Sequence, residues 1–288
     1  MNQNIDSGLA ARTPVSTVLG GYLALGLPFL VAGGLDGLRV LVLGLHLAAL
    51  AFVWRVSTPP GGAARMARDW FPLLLIPLLY LELPLLMEGM PGPVVYHDPT
   101  IAGLEQSLFG AQPSFEWAGA WPWAPVSELL HASYFSYYAI TYVPGMLLHS
   151  RQDAFDETML AVVLAFLLCY VVFIVFPVQG PRYLGIPAGV PDGPVRRLVL
   201  AVLEGGSSRG AAFPSAHVSV AVVQTAMALR HQPRVGWVLL PVALGLAAGA
   251  VYGGFHYGID ALAGALVGLI AAAAARPLGA RLKAHRPG

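Results

Sequence analysis

The stretch "YGGFHYGIDALAG", residues 252–264, sets a histidine and an aspartate four positions apart in an otherwise apolar run. Residues at i and i+4 share one face of a helix. A carboxylate on one imidazole nitrogen fixes the tautomer and makes the other nitrogen a better nucleophile. His256 and Asp260 are therefore candidates for a nucleophile and its orienting carboxylate. A second stretch, "AAFPSAHVSVAV", 212–223, puts Pro214 where a first helical turn begins, with Ser215 as a hydroxyl donor. His217 follows, placed to protonate a leaving oxygen. The free backbone N–H groups of such a helix start cradle an anion. A third stretch, "FPVQGPRYLG", 176–185, supplies Arg182, whose planar fork of donors fits phosphate oxygens. Together these groups suit attack at phosphorus. The rival is a metal site of His217, His256 and Asp260, which the nearby arginines would disfavour by repelling a cation.

The elements that must position these residues are membrane helices. The 288 residues are 57% hydrophobic and 11% charged, with a mean hydropathy of +0.67. Soluble domains carry about 25% charged residues, so an all-α integral membrane protein is expected. Eight segments approach the roughly 20 apolar residues of a span: 17–33, 38–54, 70–88, 127–149, 158–177, 212–229, 235–253 and 257–275. Interior prolines at Pro28, Pro72, Pro77, Pro84, Pro144 and Pro241 predict kinks. A single cysteine, Cys169, excludes a disulfide framework. No convincing secretory signal is expected, and a net charge of +1 does not point to nucleic acid.

Orientation follows from lysine and arginine. With a cytoplasmic N-terminus, Arg12, Arg55, Arg65, Arg68, Arg151, Arg230, Arg234, Arg276, Arg281, Lys283 and Arg286 all fall inside, 11 of 16. The segment 89–126 is then outside, and no lysine or arginine occurs from 69 to 150. Trp54, Trp70 and Trp237 mark inner span ends, and Trp117, Trp121 and Trp123 an outer one, as an aromatic belt would. Arg39, Arg182, Arg196, Arg197 and Arg209 remain outside, four of them within 178–211. Such a local violation of the charge rule suggests an anionic ligand, against the plainer reading of a solvated loop. Arg182, His217, His256 and Asp260 share that outer depth.

"GPRY", "FPSAHVS" and "HYGID", in this order and placement, resemble the three signature motifs of the type 2 phosphatidic acid phosphatase superfamily. The resemblance implies a six-helix catalytic core over 70–275, a two-helix N-terminal addition over 17–54 and a basic cytoplasmic tail over 276–288, in one membrane domain. It implies His256 as a phosphohistidine-forming nucleophile, Asp260 as its orienter, His217 as general acid and Arg182 as phosphate ligand, with no metal or other cofactor. Two family cations are replaced, by Val175 and Ala250. Arg209, Arg196 or Arg197 are candidates to substitute. Fewer cations suit a phosphodiester, and "HDPTIAGLEQSLFGAQPS", 97–114, with "VYGGFHY", is similar to the inositol phosphorylceramide synthase-like branch, which moves a headgroup onto a polyol or lipid acceptor. The expectation is thus a metal-independent lipid phosphatase or phosphotransferase acting on a membrane lipid at the outer face. A headgroup transferase and a non-catalytic lipid-binding or transport protein are the alternatives. Alanine- and arginine-rich usage suggests a bacterial cell membrane.

Three further groups are singled out. Glu82 lies well inside a span, where a carboxylate is costly and usually functional, and is a candidate for a headgroup pocket; a partnership with a tyrosine or histidine on a neighbouring helix is the plainer reading. His131, Tyr134 and Tyr138 fall on one stripe below Glu128, as the wall of a headgroup pocket would; packing is the plainer reading. His46 has no acidic partner within a turn or two of its own helix and reads as a helix-pairing residue.

Overall fold

The computed structural model describes residues 13–55, 62–185 and 189–284, and all regular structure among them is helical apart from one isolated bridge. Arg12 and Arg286, counted among the inner cations, lie outside the described residues. Six described helices are long and apolar enough to cross a membrane: α1 (Pro14–Ala32), α2 (Gly37–Arg55), α3 (Ala63–Glu88), α8 (Gln152–Val175), α12 (Pro233–Tyr252) and α13 (Gly258–Ala284). The protein is an integral membrane protein.

The two other expected spans take different forms. Segment 127–149 becomes α6 (Ala124–Phe135) and α7 (Tyr137–Leu148), interrupted at Ser136. The Ser136 hydroxyl donates to the Ser133 carbonyl, a local bond that competes with helix continuity. Segment 212–229 becomes α11 (Ala216–His231), only 16 residues long, because residues 212–215 are used in the turn before it. The stretches expected to be plain outer loops also hold helices. Between α3 and α6 lie α4 (Asp98–Phe109) and α5 (Pro113–Ala120); between α8 and α11 lie the single turn α9 (Pro181–Leu184) and α10 (Pro194–Gly206).

The short helix α11 is the centre of the assembly, packed by α7, α8, α12 and α13. The largest buried core runs through α1, α2, α3, α8, α11 and α13. Helices α11 and α13 approach unusually closely at Gly264 and Gly268. A Cβ at Gly264 would strike the Ser215 carbonyl, and one at Gly268 the Ser219 carbonyl. A small-xxx-small spacing is how membrane helices bring their backbones together. Here it seats the start of α13 against the start of α11.

The N-terminal helices answer a separate question. Glu82 of α3 does not face the candidate site: its carboxylate meets His46 Nδ1 of α2 at 2.9 Å, and His46 Nε2 meets the Leu23 carbonyl of α1 at 2.7 Å. This corrects the placement of Glu82 in a headgroup pocket and agrees with the plainer reading of a histidine partner on a neighbouring helix. A buried carboxylate needs a partner, and the partner is the histidine that looked unpaired because it sits on another helix.

Candidate functional site

Three loops meet at one end of the bundle: the one after α8, the one before α11 and the one between α12 and α13. Backbone bonds lace them together. Val178 N–H donates to the Gly210 carbonyl at 3.2 Å, and Ala212 N–H donates to the Val178 carbonyl at 3.0 Å. Ser215 N–H donates to the Asp260 carbonyl at 2.9 Å. Gly180, at φ +89°, lets the first loop pass close to Ala212 and Phe255. The Phe213–Pro214 peptide is cis, and Pro214 precedes the N-cap rather than opening α11 as expected.

His256 lies in the turn before α13, not on its face, so the i, i+4 helical geometry does not apply. Its N–H donates to the Ala250 carbonyl at 3.0 Å. Its Nδ1 lies 3.0 Å from the Ala212 carbonyl and 3.4 Å from Asp260 Oδ2. A carbonyl can only accept, so Nδ1 carries the proton and Nε2 presents its lone pair. Asp260 therefore shares the orienting task with Ala212. Its Oδ2 also accepts from Tyr257 N–H at 2.8 Å, and its Oδ1 is buried without a partner.

His217, in the first turn of α11, faces His256 with ring centroids 5.8 Å apart. Tyr134 stacks on it at 5.0 Å and Tyr137 packs at 4.2 Å. The Tyr134 hydroxyl lies 3.3 Å from His217 Nε2. Ser215 is fully buried, and its oxygen accepts from Val218 N–H as the α11 N-cap. Its own N–H is taken by the Asp260 carbonyl, so an anion at that helix start could meet only the N–H groups of Ala216 and His217.

Arg182 and Arg209 come together on one ring. Their guanidinium carbons lie 5.5 and 5.1 Å from the centroid of Tyr183. Arg182 Nη1 donates to Ser207 Oγ at 2.8 Å. Arg196 and Arg197 instead pair with Asp192, at 3.3 and 3.7 Å. Neither family cation position is filled in kind: Val175 is exposed, and Ala250 is buried with its carbonyl occupied.

The expected pocket stripe is only partly assembled. Tyr134 touches His217, while His131 packs edge-on to Phe255 at 5.7 Å with its Nδ1 on the Ser127 carbonyl. Tyr138 falls beyond the Ser136 break, 45% exposed, yet it shares a small cleft with Tyr134, Phe135, Val199, Leu203 and His217. Glu128 caps α10, accepting from Val195 and Arg196 N–H.

Two acids escaped notice in the sequence. Asp98 accepts from Gln179 N–H at 3.0 Å and Gly180 N–H at 2.8 Å, and Tyr257 Oη lies 3.4 Å away. Glu105 accepts from Gly258 N–H at 2.5 Å and the Ser114 hydroxyl at 3.2 Å. Burial pushes the Glu105 carboxyl above its ordinary range, opposed by those two bonds. The available signal was their seven-residue spacing, which puts both on one face of a helix beginning at Asp98-Pro99. Among the described residues, no three His, Cys, Asp or Glu side chains are grouped to hold a metal ion.

Comparison with known proteins adds one result. No curated protein and no solved structure matches the chain. The family model of the PAP2 superfamily, the type 2 phosphatidic acid phosphatases, matches residues 100–274, a range that takes in Arg182, His217, His256 and Asp260. With more than half of its length so matched, the chain belongs to the PAP2 superfamily.

Proposed function

We propose that this protein is a metal-independent phosphatase or phosphotransferase that cleaves a lipid phosphate ester through a phosphohistidine. The observation that carries the reading is the pair of facing imidazoles, His217 and His256, with Nδ1 of His256 tied to the Ala212 carbonyl. His256 Nε2 attacks phosphorus and the bond from phosphorus to the leaving oxygen breaks. His217 gives that oxygen its proton. Water or an alcohol then attacks the phosphohistidine, returning a proton to His217 and freeing His256. Asp260 and the Ala212 carbonyl favour the imidazolium-like charge that builds on His256. Arg182, Arg209 and the N–H groups at the start of α11 hold the equatorial oxygens. The substrate is a membrane lipid, and the site faces the outer side of a bacterial cell membrane.

Transfer to a polyol or lipid acceptor is favoured over hydrolysis by one observation. Val175 and Ala250 stand where the family often has two cations, and Arg209 answers for one of them at most, which suits the lower charge of a phosphodiester. The test is a panel of lipids with the purified protein in detergent and EDTA, scored for phosphate release and for headgroup exchange. Turnover that survives EDTA is expected. Loss of activity on chelation would move the chemistry to a metal site, and binding without any turnover would make this a lipid-binding protein of the same fold.

A further inference from the structure

The buried face of α4 is chemically odd. Asp98, Ile101 and Glu105 form it, 4%, 1% and 0% exposed. Helix faces packed into a protein are normally apolar, and two buried carboxylates are costly unless each is fully used. Both are used, and neither on its own helix. Asp98 Oδ2 takes Gln179 N–H and its Oδ1 takes Gly180 N–H, the two residues that lead into Pro181 and Arg182. Glu105 Oε1 takes Gly258 N–H, two residues after His256. The Tyr257 hydroxyl, between them, reaches Asp98. One short helix thus grips the Arg182 loop with one acid and the His256 loop with the other.

We propose that Asp98 and Glu105 are positioning residues, which fix the distance between the phosphate-holding Arg182 and the nucleophile His256. The proposal rests on the phosphohistidine reading above, since it gives those two residues their roles. The two acids differ in a way that sets the test. Both oxygens of Asp98 accept backbone N–H groups, so an asparagine would turn its NH2 against one of them. Glu105 meets one backbone N–H and one hydroxyl, and a hydroxyl can also accept. A glutamine there keeps both bonds by reversing the one to Ser114.

The experiment is a set of rate measurements on the full-length protein in detergent, at matched thermal midpoint and elution profile. Asp98→Asn should lower kcat/KM on the order of 100-fold, the scale of a small misplacement at a reacting centre. Its split between KM and kcat should match that of Arg182→Ala, and the double variant should be no slower than Arg182→Ala alone. Glu105→Gln should keep most of the activity, while Glu105→Asp, whose carboxylate falls short of Gly258, should lose roughly 10-fold or more. Losses that multiply in the double variant, or a wild-type rate for Asp98→Asn, overturn the proposal. If Asp98→Asn does not accumulate, the Glu105 pair decides: equal rates for Gln and Asp overturn it. An unimpaired Arg182→Ala would instead sink the phosphate-site reading itself.

Discussion

Arg209 is the residue on which the charge balance of the proposed phosphate site is tested. It shares the Tyr183 ring with Arg182, while Arg196 and Arg197 are engaged with Asp192. If it replaces a lost family cation, Arg209→Ala should slow turnover nearly as much as Arg182→Ala. One charge-assisted contact to phosphate is worth about 1.5–3 kcal/mol, or roughly 10- to 150-fold. Arg197→Ala should stay close to wild type in the same assay, and a wild-type rate for Arg209→Ala would return Arg209 to the solvated loop. At this scale the sequence was informative wherever the residue type itself dictates chemistry: His217, His256, Asp260 and Arg182 all converge on one end of the bundle. It was blind where a main-chain group does the work. No side-chain pattern announces that the Ala212 carbonyl holds His256 Nδ1. Glu82 stayed open between a pocket and a partnered role for the reason His46 looked unpaired: their contact crosses from one helix to another, 36 positions apart.

Among the elements, the closest joint is that of α11 with α13. Gly264 lets the α13 backbone touch the Ser215 carbonyl, so it sets the separation between the helix carrying His217 and the turn carrying His256. Gly264→Ala should destabilise the protein by about 1–3 kcal/mol through overpacking and lower activity more than its loss of stability explains. Gly21→Ala, which opens on free space in α1, is the control. Thermal unfolding in detergent and rates at a temperature well below both midpoints would separate the two effects. An unchanged rate in folded Gly264→Ala would deny the joint its positioning role. The long apolar helices were legible from composition because a bilayer demands length. The short ones were not. α4 and α5 sit in a stretch read as outer loop, since neither reaches the roughly 20 residues of a span. The break at Ser136 was hidden because its neighbours are uniformly apolar and aromatic, so periodicity alone could not mark where one helix stops.

For the whole molecule, the orientation expected from charge asymmetry would put α4 and the three converging loops outside, and it is open to a direct test. Cys169 is the only cysteine and is fully buried, so an added cysteine reports alone. Gln106→Cys, on an exposed position of α4, should react with an impermeant thiol reagent on intact cells. Labelling only after lysis would reverse the orientation and put the chemistry on the cytoplasmic side. Among the described residues six helices meet the length and apolarity of a span, and an eight-span layout requires α11 and the α6–α7 pair to cross as well. The most direct measurement on the central claim is a trap for the covalent species. The protein is mixed with a phosphorus-radiolabelled lipid, quenched rapidly in alkaline detergent and examined for an acid-labile, base-stable adduct. Wild type should carry it, His217→Ala should still form some of it from a lipid with a good leaving group, and His256→Ala should carry none. An adduct that persists in His256→Ala would contradict the account and require another nucleophile.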